Sequence, residues 1–269
     1  MTVDRAGRDY WDDVWNGQPS PRIVGSADRG IRNYVTSRFC ELLVDDLGPV
    51  LPGRLIEVGC GNSAWLPWYS TGLGADVWGL DYSEPGCRRA RAVLARSRTD
   101  GTIVCADMFD PPKELFRSFD AVVSWGVVEH FEDTPAALAA IADLLRPSGR
   151  MLTVIPNLAG AMGWLQKSMN RPVYDKHKVI DREQLTQAHR DAGLEVRRCE
   201  YFLPANFGVI NLHDAPVGPV RALTQRVLVA GLARFAWMTW TIQRRTGWDF
   251  ATKLWSPYVV ASAHRASEC

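Results

Sequence analysis

The sequence carries almost no surplus of charge: 31 basic and 30 acidic residues leave a formal net charge of +1 over 269 residues. No global field therefore recruits nucleic acid, and no basic stripe with interleaved aromatics marks a nucleic-acid face. Long apolar runs are scarce as well. The stretch between Arg226 and Arg244 is 17 residues with Arg234 in its middle, too short and too interrupted to span a bilayer. The six cysteines (40, 60, 87, 105, 199, 269) show no metal-ligand spacing, and no His/Cys/Asp cluster shows it either, so no metal is expected. Several lie inside apolar runs, which favours reduced, buried thiols. No charged-then-apolar leader opens at Met1-Thr2-Val3-Asp4-Arg5, so the expectation is a cytoplasmic protein.

What is present is an ordinary globular composition, 46% hydrophobic and 23% charged, with eleven tryptophans. The length suits one domain, residues 1–269, with room for an insertion. Apolar runs near 54–58, 76–80, 102–105, 119–124 and 149–155 alternate with helical stretches at 63–72, 84–97 and 134–146. That rhythm predicts a doubly wound α/β fold, a parallel sheet with helices on both faces. A capped helix from Asp181 to Gly193 precedes a sixth strand, Leu194 to Cys199, and Ser256 to Ala263 reads as a seventh. Residues 1–48 read as an N-terminal helical lid. Its aromatic part is Tyr10-Trp11-Asp12-Asp13-Val14-Trp15, and Ile31 to Leu47 shows helical spacing.

Leu55-Ile56-Glu57-Val58-Gly59-Cys60-Gly61 is an apolar strand that ends in glycines, which lets a ligand approach backbone that a β-carbon would block. Asp81 follows twenty residues after Gly61, at the end of the next apolar run. A carboxylate there is placed to accept both hydroxyls of a ribose. Gly59-x-Gly61-x-x-Ala64 also fits a dinucleotide fingerprint, so an NAD-dependent oxidoreductase is the rival reading, and a non-catalytic nucleoside-fold module is a third. Glu57 at the strand tip disfavours a pyrophosphate and suits a cation. Asp107, where the third strand would end, can receive an adenine amino group.

Five pieces in order, EVGCG at 57–61, GLDYS at 79–83, CADMF at 105–109, FDAVVSWGVVEHF at 119–131 and LLRPSGRMLTVIPN at 144–157, resemble the class I S-adenosylmethionine-dependent methyltransferases. The closest flavour is the small-molecule subgroup with ubiquinone-type O-methyltransferase motifs, and the likeness covers roughly residues 53–200. It implies a seven-stranded Rossmann-like sheet with an antiparallel last strand, and S-adenosyl-L-methionine as cofactor. It assigns Glu57, Gly59 and Gly61 to the methionine half, with Cys60 between the glycines also cofactor-binding, Asp81 to the ribose, and Asp107 with Met108 to the adenine. Tyr82 is placed on the adenine or ribose edge, Ser124 and Trp125 near the donor sulfur, and Tyr10, Trp11 and Trp15 in a lid. A frequent third glycine is Ser63 here. The Asn/Asp-Pro-Pro-aromatic signature of methyltransferases acting on DNA bases or glutamine is missing.

The base candidates are Glu129, His130 and His177, with His213 and Asp214 behind them; His189 and His264 read as solvated surface. Metal assistance by acids scattered in sequence stays open. The stretch 204–250 is a helical insertion between strands six and seven, apolar on most sides over 220–245. A homo-oligomer interface or cover, a wall for a hydrophobic substrate, and a membrane surface are its three readings. The expectation is methyl transfer to a small hydrophobic or aromatic acceptor in specialised metabolite biosynthesis, O-methylation first, C- and N-methylation next, with no nucleic-acid partner.

Overall fold

Runs such as Arg54-Leu55-Ile56-Glu57-Val58 bury nearly every residue, as strands covered on both faces must. A computed structural model describes residues 2–25, 30–51, 53–211 and 219–266, with side chains of the last segment from residue 230 onward. In chain order the elements are α1 (Arg8–Gly17), α2 (Tyr34–Leu47), β1 (Arg54–Val58), α3 (Leu66–Leu73), β2 (Asp76–Asp81), α4 (Glu84–Ser97), β3 (Thr102–Cys105) and β4 (Phe119–Trp125). They continue with α5 (Thr134–Ala142), β5 (Leu145–Pro156), α6 (Ala161–Met169), α7 (Arg171–Tyr174), α8 (Arg182–Asp191), β6 (Leu194–Phe202), α9 (Pro219–Thr246) and β7 (Tyr258–Arg265).

The seven strands form one sheet in the order β3-β2-β1-β4-β5-β7-β6. The first five are parallel, and β7 runs antiparallel between β5 and β6. Successive residues feed opposite layers: Leu55 joins Tyr69, Leu73 and Val123 on one face, Ile56 joins Val122, Leu138 and Ile141 on the other. Strand order reverses between β1 and β4, so a crevice opens beyond their carboxyl ends.

Local chemistry sets the helix ends. The Ser83 hydroxyl accepts from Gly86 N to start α4, and Asp181 with Gln184 completes a capping box on α8. Two boundaries differ from the sequence expectation. The α5 helix stops at Ala142 rather than 146, because Leu145 already pairs with Phe119; the ladder then resumes at Arg150 across a bulge, with Ser148 at φ 62°. Within the expected lid of residues 1–48, Phe39, Leu42, Leu43 and Leu47 of α2 are buried in the core, and among the described residues Thr2, Asp4, Trp11 and Trp15 line the crevice.

The insertion is described over 204–211 and again from the start of α9, which seats Ala236 and Trp240 against the body. The Trp240 indole stacks on Tyr34 at 5.4 Å and donates to the Ala205 carbonyl at 2.6 Å. Among the described residues, no helix is long and apolar enough to cross a membrane.

Candidate functional site

The crevice is built first from backbone. Beyond β1 the chain turns at Gly59, whose φ of +76° excludes most side chains and whose added Cβ would lie 2.5 Å from a Val127 methyl. Asp81, at the tip of β2, is fixed by two backbone donors, Gly61 N to Oδ2 and Ser83 N to Oδ1, both at 2.8 Å. Glu57 is almost fully buried. Its Oε2 accepts from the Ser63 hydroxyl at 2.9 Å, and the Tyr69 hydroxyl also bonds it. Trp125 Nε1 donates to the Tyr69 oxygen at 2.8 Å, which ties the β4 tip into the same chain. Burial pushes Glu57 up to about 8 against the hydrogen bonds from Ser63 and Tyr69, and pushes Asp81 up to about 6.

The N-terminal segment closes over these tips. Asp4 bridges Phe131, and Arg5 N donates to the His130 carbonyl at 2.8 Å. The Tyr82 hydroxyl donates to Asp4 at 2.7 Å and the Ser83 hydroxyl to Asp12 at 2.5 Å. Trp11 and Trp15 stack at 5.5 Å, and Trp11 meets the His130 ring edge-on at 5.1 Å. The Trp15 indole sits so close that a Cβ on Gly61 would come within 2.6 Å of Nε1, and one on Gly86 within 2.8 Å of the ring. These two glycines make room for a lid indole.

Under the lid lies a cavity of about 690 Å³, within the ~300–1,000 Å³ range usual for ligand sites. Asp4, Glu57, Asp81, Asp107 and Asp110 line it, and among the described residues no lysine or arginine does. On another side the Trp65 and Trp125 rings stack at 4.9 Å and 7°, with Tyr258 beside them. Carboxyl groups without a basic partner fit a cationic sulfonium or ammonium group and oppose a pyrophosphate. A profile described as a methyltransferase domain matches residues 31–198.

The chain belongs to this methyltransferase family. The family's donor is S-adenosyl-L-methionine, and the protein is an S-adenosylmethionine-dependent methyltransferase. The ubiquinone biosynthesis O-methyltransferase of Thiobacillus denitrificans is 31% identical over 164 residues, 56% of this chain and 68% of that protein. Its counterpart in Rhodopseudomonas palustris is 28% identical over 206 residues, 71% of this chain and 78% of that one. The geranyl diphosphate C-methyltransferase of Streptomyces coelicolor A3(2), solved with Mg2+, geranyl diphosphate and S-adenosyl-L-homocysteine, shares the fold. It has a TM-score of 0.62 and 14% identity, over 96% of this chain and 98% of that one. The oxidoreductase and non-catalytic readings are set aside by family membership.

Of the residues singled out in the sequence, Trp15, Glu57, Gly59, Gly61, Asp81, Tyr82, Asp107, Met108, Trp125 and His130 line the cavity. Tyr10, Cys60, Ser124, Glu129 and His177 do not. The Cys60 thiol packs under β2, where a Cβ on Gly79 would meet Sγ at 2.6 Å. Ser124 alternates with Trp125 along β4 and so turns into the core, its hydroxyl without a partner. Tyr10 faces Lys176, whose ammonium lies 4.1 Å from its ring centre. Sequence reasoning missed Trp65, Tyr258 and Asp4, which reach the cavity from α3's leading turn, the antiparallel β7 and the N-terminal strap. No spacing pattern announces them.

Glu129 and His177 stand next to His130 in a cluster whose ligating atoms all lie within 4.8 Å of one another. Its two histidine rings are 4.5 Å apart. The His130 Nδ1 donates to the Lys176 carbonyl at 3.0 Å and the His177 Nδ1 to that of Val173 at 2.8 Å, which leaves both Nε2 atoms as acceptors. Both Glu129 oxygens are buried without a partner. Burial raises Glu129 to about 8 and lowers His130 to about 3; it lowers His177 as well. These three groups lie close enough together to form a candidate donor set for a metal ion, a juxtaposition that spacing does not show because the fold joins positions 130 and 177. The structure corrects the solvated-surface reading of His189: it is fully buried, its Nε2 3.0 Å from Thr153 Oγ1 and its Nδ1 donating to the Leu185 carbonyl. His213 and Asp214 lie outside the described residues.

Proposed function

We propose that the enzyme methylates a small, neutral, apolar or aromatic acceptor, at a hydroxyl oxygen, with the acceptor held against Trp65, Trp125 and Tyr258. The observation that carries this reading is the division of the cavity. Carboxyl groups gather on the side of β1, β2 and β3, stacked indoles stand at β4, and no basic residue among those described is available to a phosphate-bearing acceptor. The O-methyltransferase names of the two relatives support the choice of a hydroxyl.

S-Adenosyl-L-methionine brings a methyl group already activated on a sulfonium. The protein's share is then positioning, worth ~7–11 kcal/mol of a bimolecular barrier. In this reading Asp81, prealigned by Gly61 N and Ser83 N, receives the ribose hydroxyls. Glu57 meets the ammonium end, and Asp107 with Met108 lies against the adenine. Tyr82, held by Asp4, and Trp15 close the lid. His130 presents Nε2 to the acceptor hydroxyl as a hydrogen-bond acceptor that orients it; burial lowers the ring to about 3 and keeps it neutral, and the hydroxyl proton leaves to solvent. The Lys176 carbonyl and the His177 ring, 4.5 Å from that of His130, position His130, and Glu129 does not line the cavity.

The test is mass spectrometry of neutral phenols and of phosphorylated counterparts incubated with enzyme and donor. A gain of one methyl on the neutral hydroxyl compounds is expected. Donor binding without methyl gain on any of them, or preference for the phosphorylated set, contradicts the reading.

A further inference from the structure

Thirteen large hydrophobic side chains are exposed on the described surface, and eight of them fall in α6, α9 and the segment that joins α9 to β7. Trp164 and Trp248 are each 69% exposed, Met238 53% and Trp237 45%. They belong to one neighbourhood. The α6 helix is anchored by Ala161 N donating to the Leu254 carbonyl at 2.8 Å, and the Phe235 and Trp255 rings are 5.8 Å apart. On α9, Phe235, Met238 and Ile242 recur at helical spacing on the arc away from the buried Ala236 and Trp240. Isolated exposed hydrophobics need no explanation, whereas a gathered set with four tryptophans does.

The charge around this face is one-sided. Residues 219–255 hold six basic residues and a single acid, Asp249, and α6 adds Lys167 and no acid. Arg234, Arg244 and Arg245 are exposed without an ionic partner among the described residues. Asp249 is engaged locally, accepting from Gln243 Nε2 and Ala251 N. Among the described side chains, Lys253 is the one base here that is neutralised, by Asp181 at 2.9 Å.

Position links this face to the cavity. The α6 helix leaves the carboxyl end of β5, and the insertion leaves that of β6. Being antiparallel, β7 starts at the same end with Tyr258, a cavity-lining residue three positions after Trp255. We propose that this face docks on an anionic lipid bilayer, lying in the interface with its tryptophans at headgroup depth and its arginines against the lipid charge. The occupant follows from charge complementarity: a second copy of this chain would set arginine against arginine across a two-fold contact. Docking sets the cavity mouth beside the acyl region, from which a lipophilic acceptor enters. That purpose rests on the acceptor reading above, whereas docking is measured without any acceptor, so either can fail alone.

The experiment is sedimentation of the full chain with vesicles of phosphatidylcholine alone and with about one third phosphatidylglycerol, at low and high salt. Binding is expected on the anionic vesicles, weakened by salt. Arg244→Gln with Arg245→Gln is expected to lower the apparent affinity about tenfold or more, and Trp237→Ser with Met238→Ser to lower it at least as far. All of these variants keep wild-type affinity for S-adenosylhomocysteine, which shows that the fold is intact. Equal binding to neutral and anionic vesicles overturns the proposal, as does no binding to either. A concentration-dependent dimer that the same substitutions dissolve assigns the face to a second copy and overturns it as well.

Discussion

At the scale of single residues, burial raises two strand-tip acids of the site unequally, Glu57 to about 8 and Asp81 to about 6. Glu57 titrates near 8 in the free enzyme, chiefly from desolvation. An ammonium-bearing ligand selects its ionised form, so binding expels a proton and tightens as pH rises toward 8. Titration of S-adenosylhomocysteine between pH 6 and 8 should show affinity rising by up to about tenfold per unit. Glu57→Gln should flatten that slope; an unchanged slope in the variant would assign the proton elsewhere. Glu129 makes the matching statement about stability. Its folded value of about 8 exceeds the unfolded value of 4.5, so its contribution is complete below about 4.5 and is lost as pH rises through 8. Each such group costs about 1 kcal/mol per pH unit in that window, and Glu129→Gln should remove one share of the loss in urea unfolding compared at pH 6 and pH 8. A slope identical to wild type would show that Glu129 is ionised in the fold. The identities of these acids were readable from strand-tip positions; their protonation was not, because it depends on Ser63, Tyr69 and the layers packed above them.

Among elements, the lid and the glycine turn are one device. Trp15 occupies the space that Gly61 and Gly86 leave, so Gly61→Ala drives a methyl into the indole and into Asp81 Oδ2, 2.9 Å from the added Cβ. Overpacking of this kind costs about 1–3 kcal/mol. Gly61→Ala should speed dissociation of S-adenosylhomocysteine in stopped-flow fluorescence. Adding Trp15→Ala should recover part of the stability lost but none of the slow release. Full additivity of the two changes would mean that α1 does not rest on the turn. The glycines were legible as a place of close approach; that the Trp15 indole also approaches Gly61 was not, because an indole and a ligand ask the same thing of a missing Cβ. Strand positions were legible from apolar runs. The early start of β5 was hidden, since Leu145-Arg146-Pro147-Ser148-Gly149 reads as a helix end followed by a turn, and only pairing with Phe119 draws Leu145 into the sheet. The insertion between β6 and β7 was legible as an apolar helix. The described part of 204–250 contributes nothing to the cavity wall, and Trp65, Trp125 and Tyr258 are aromatic residues that line it instead.

Across the whole molecule, parallel topology sends every β1-to-β5 carboxyl end to one side of the sheet, and the antiparallel β7 returns Tyr258 to that same side. Periodicity alone was enough to expect this convergence, because a βαβ rhythm fixes where strand ends meet. Which side chain at each tip faces the crevice was settled by strand alternation for Trp125 and Ser124, and by the 3-10 turn over Val128–His130 for His130 and Glu129. The central claim is that acids at successive tips jointly hold a cationic nucleoside. Calorimetric titration of S-adenosylhomocysteine into wild type and Asp81→Ala tests it most directly. The account predicts one saturable site per chain, weakened by ~1–3 kcal/mol in the variant through lost charge-assisted hydrogen bonds. Equal affinity in the two proteins would contradict it.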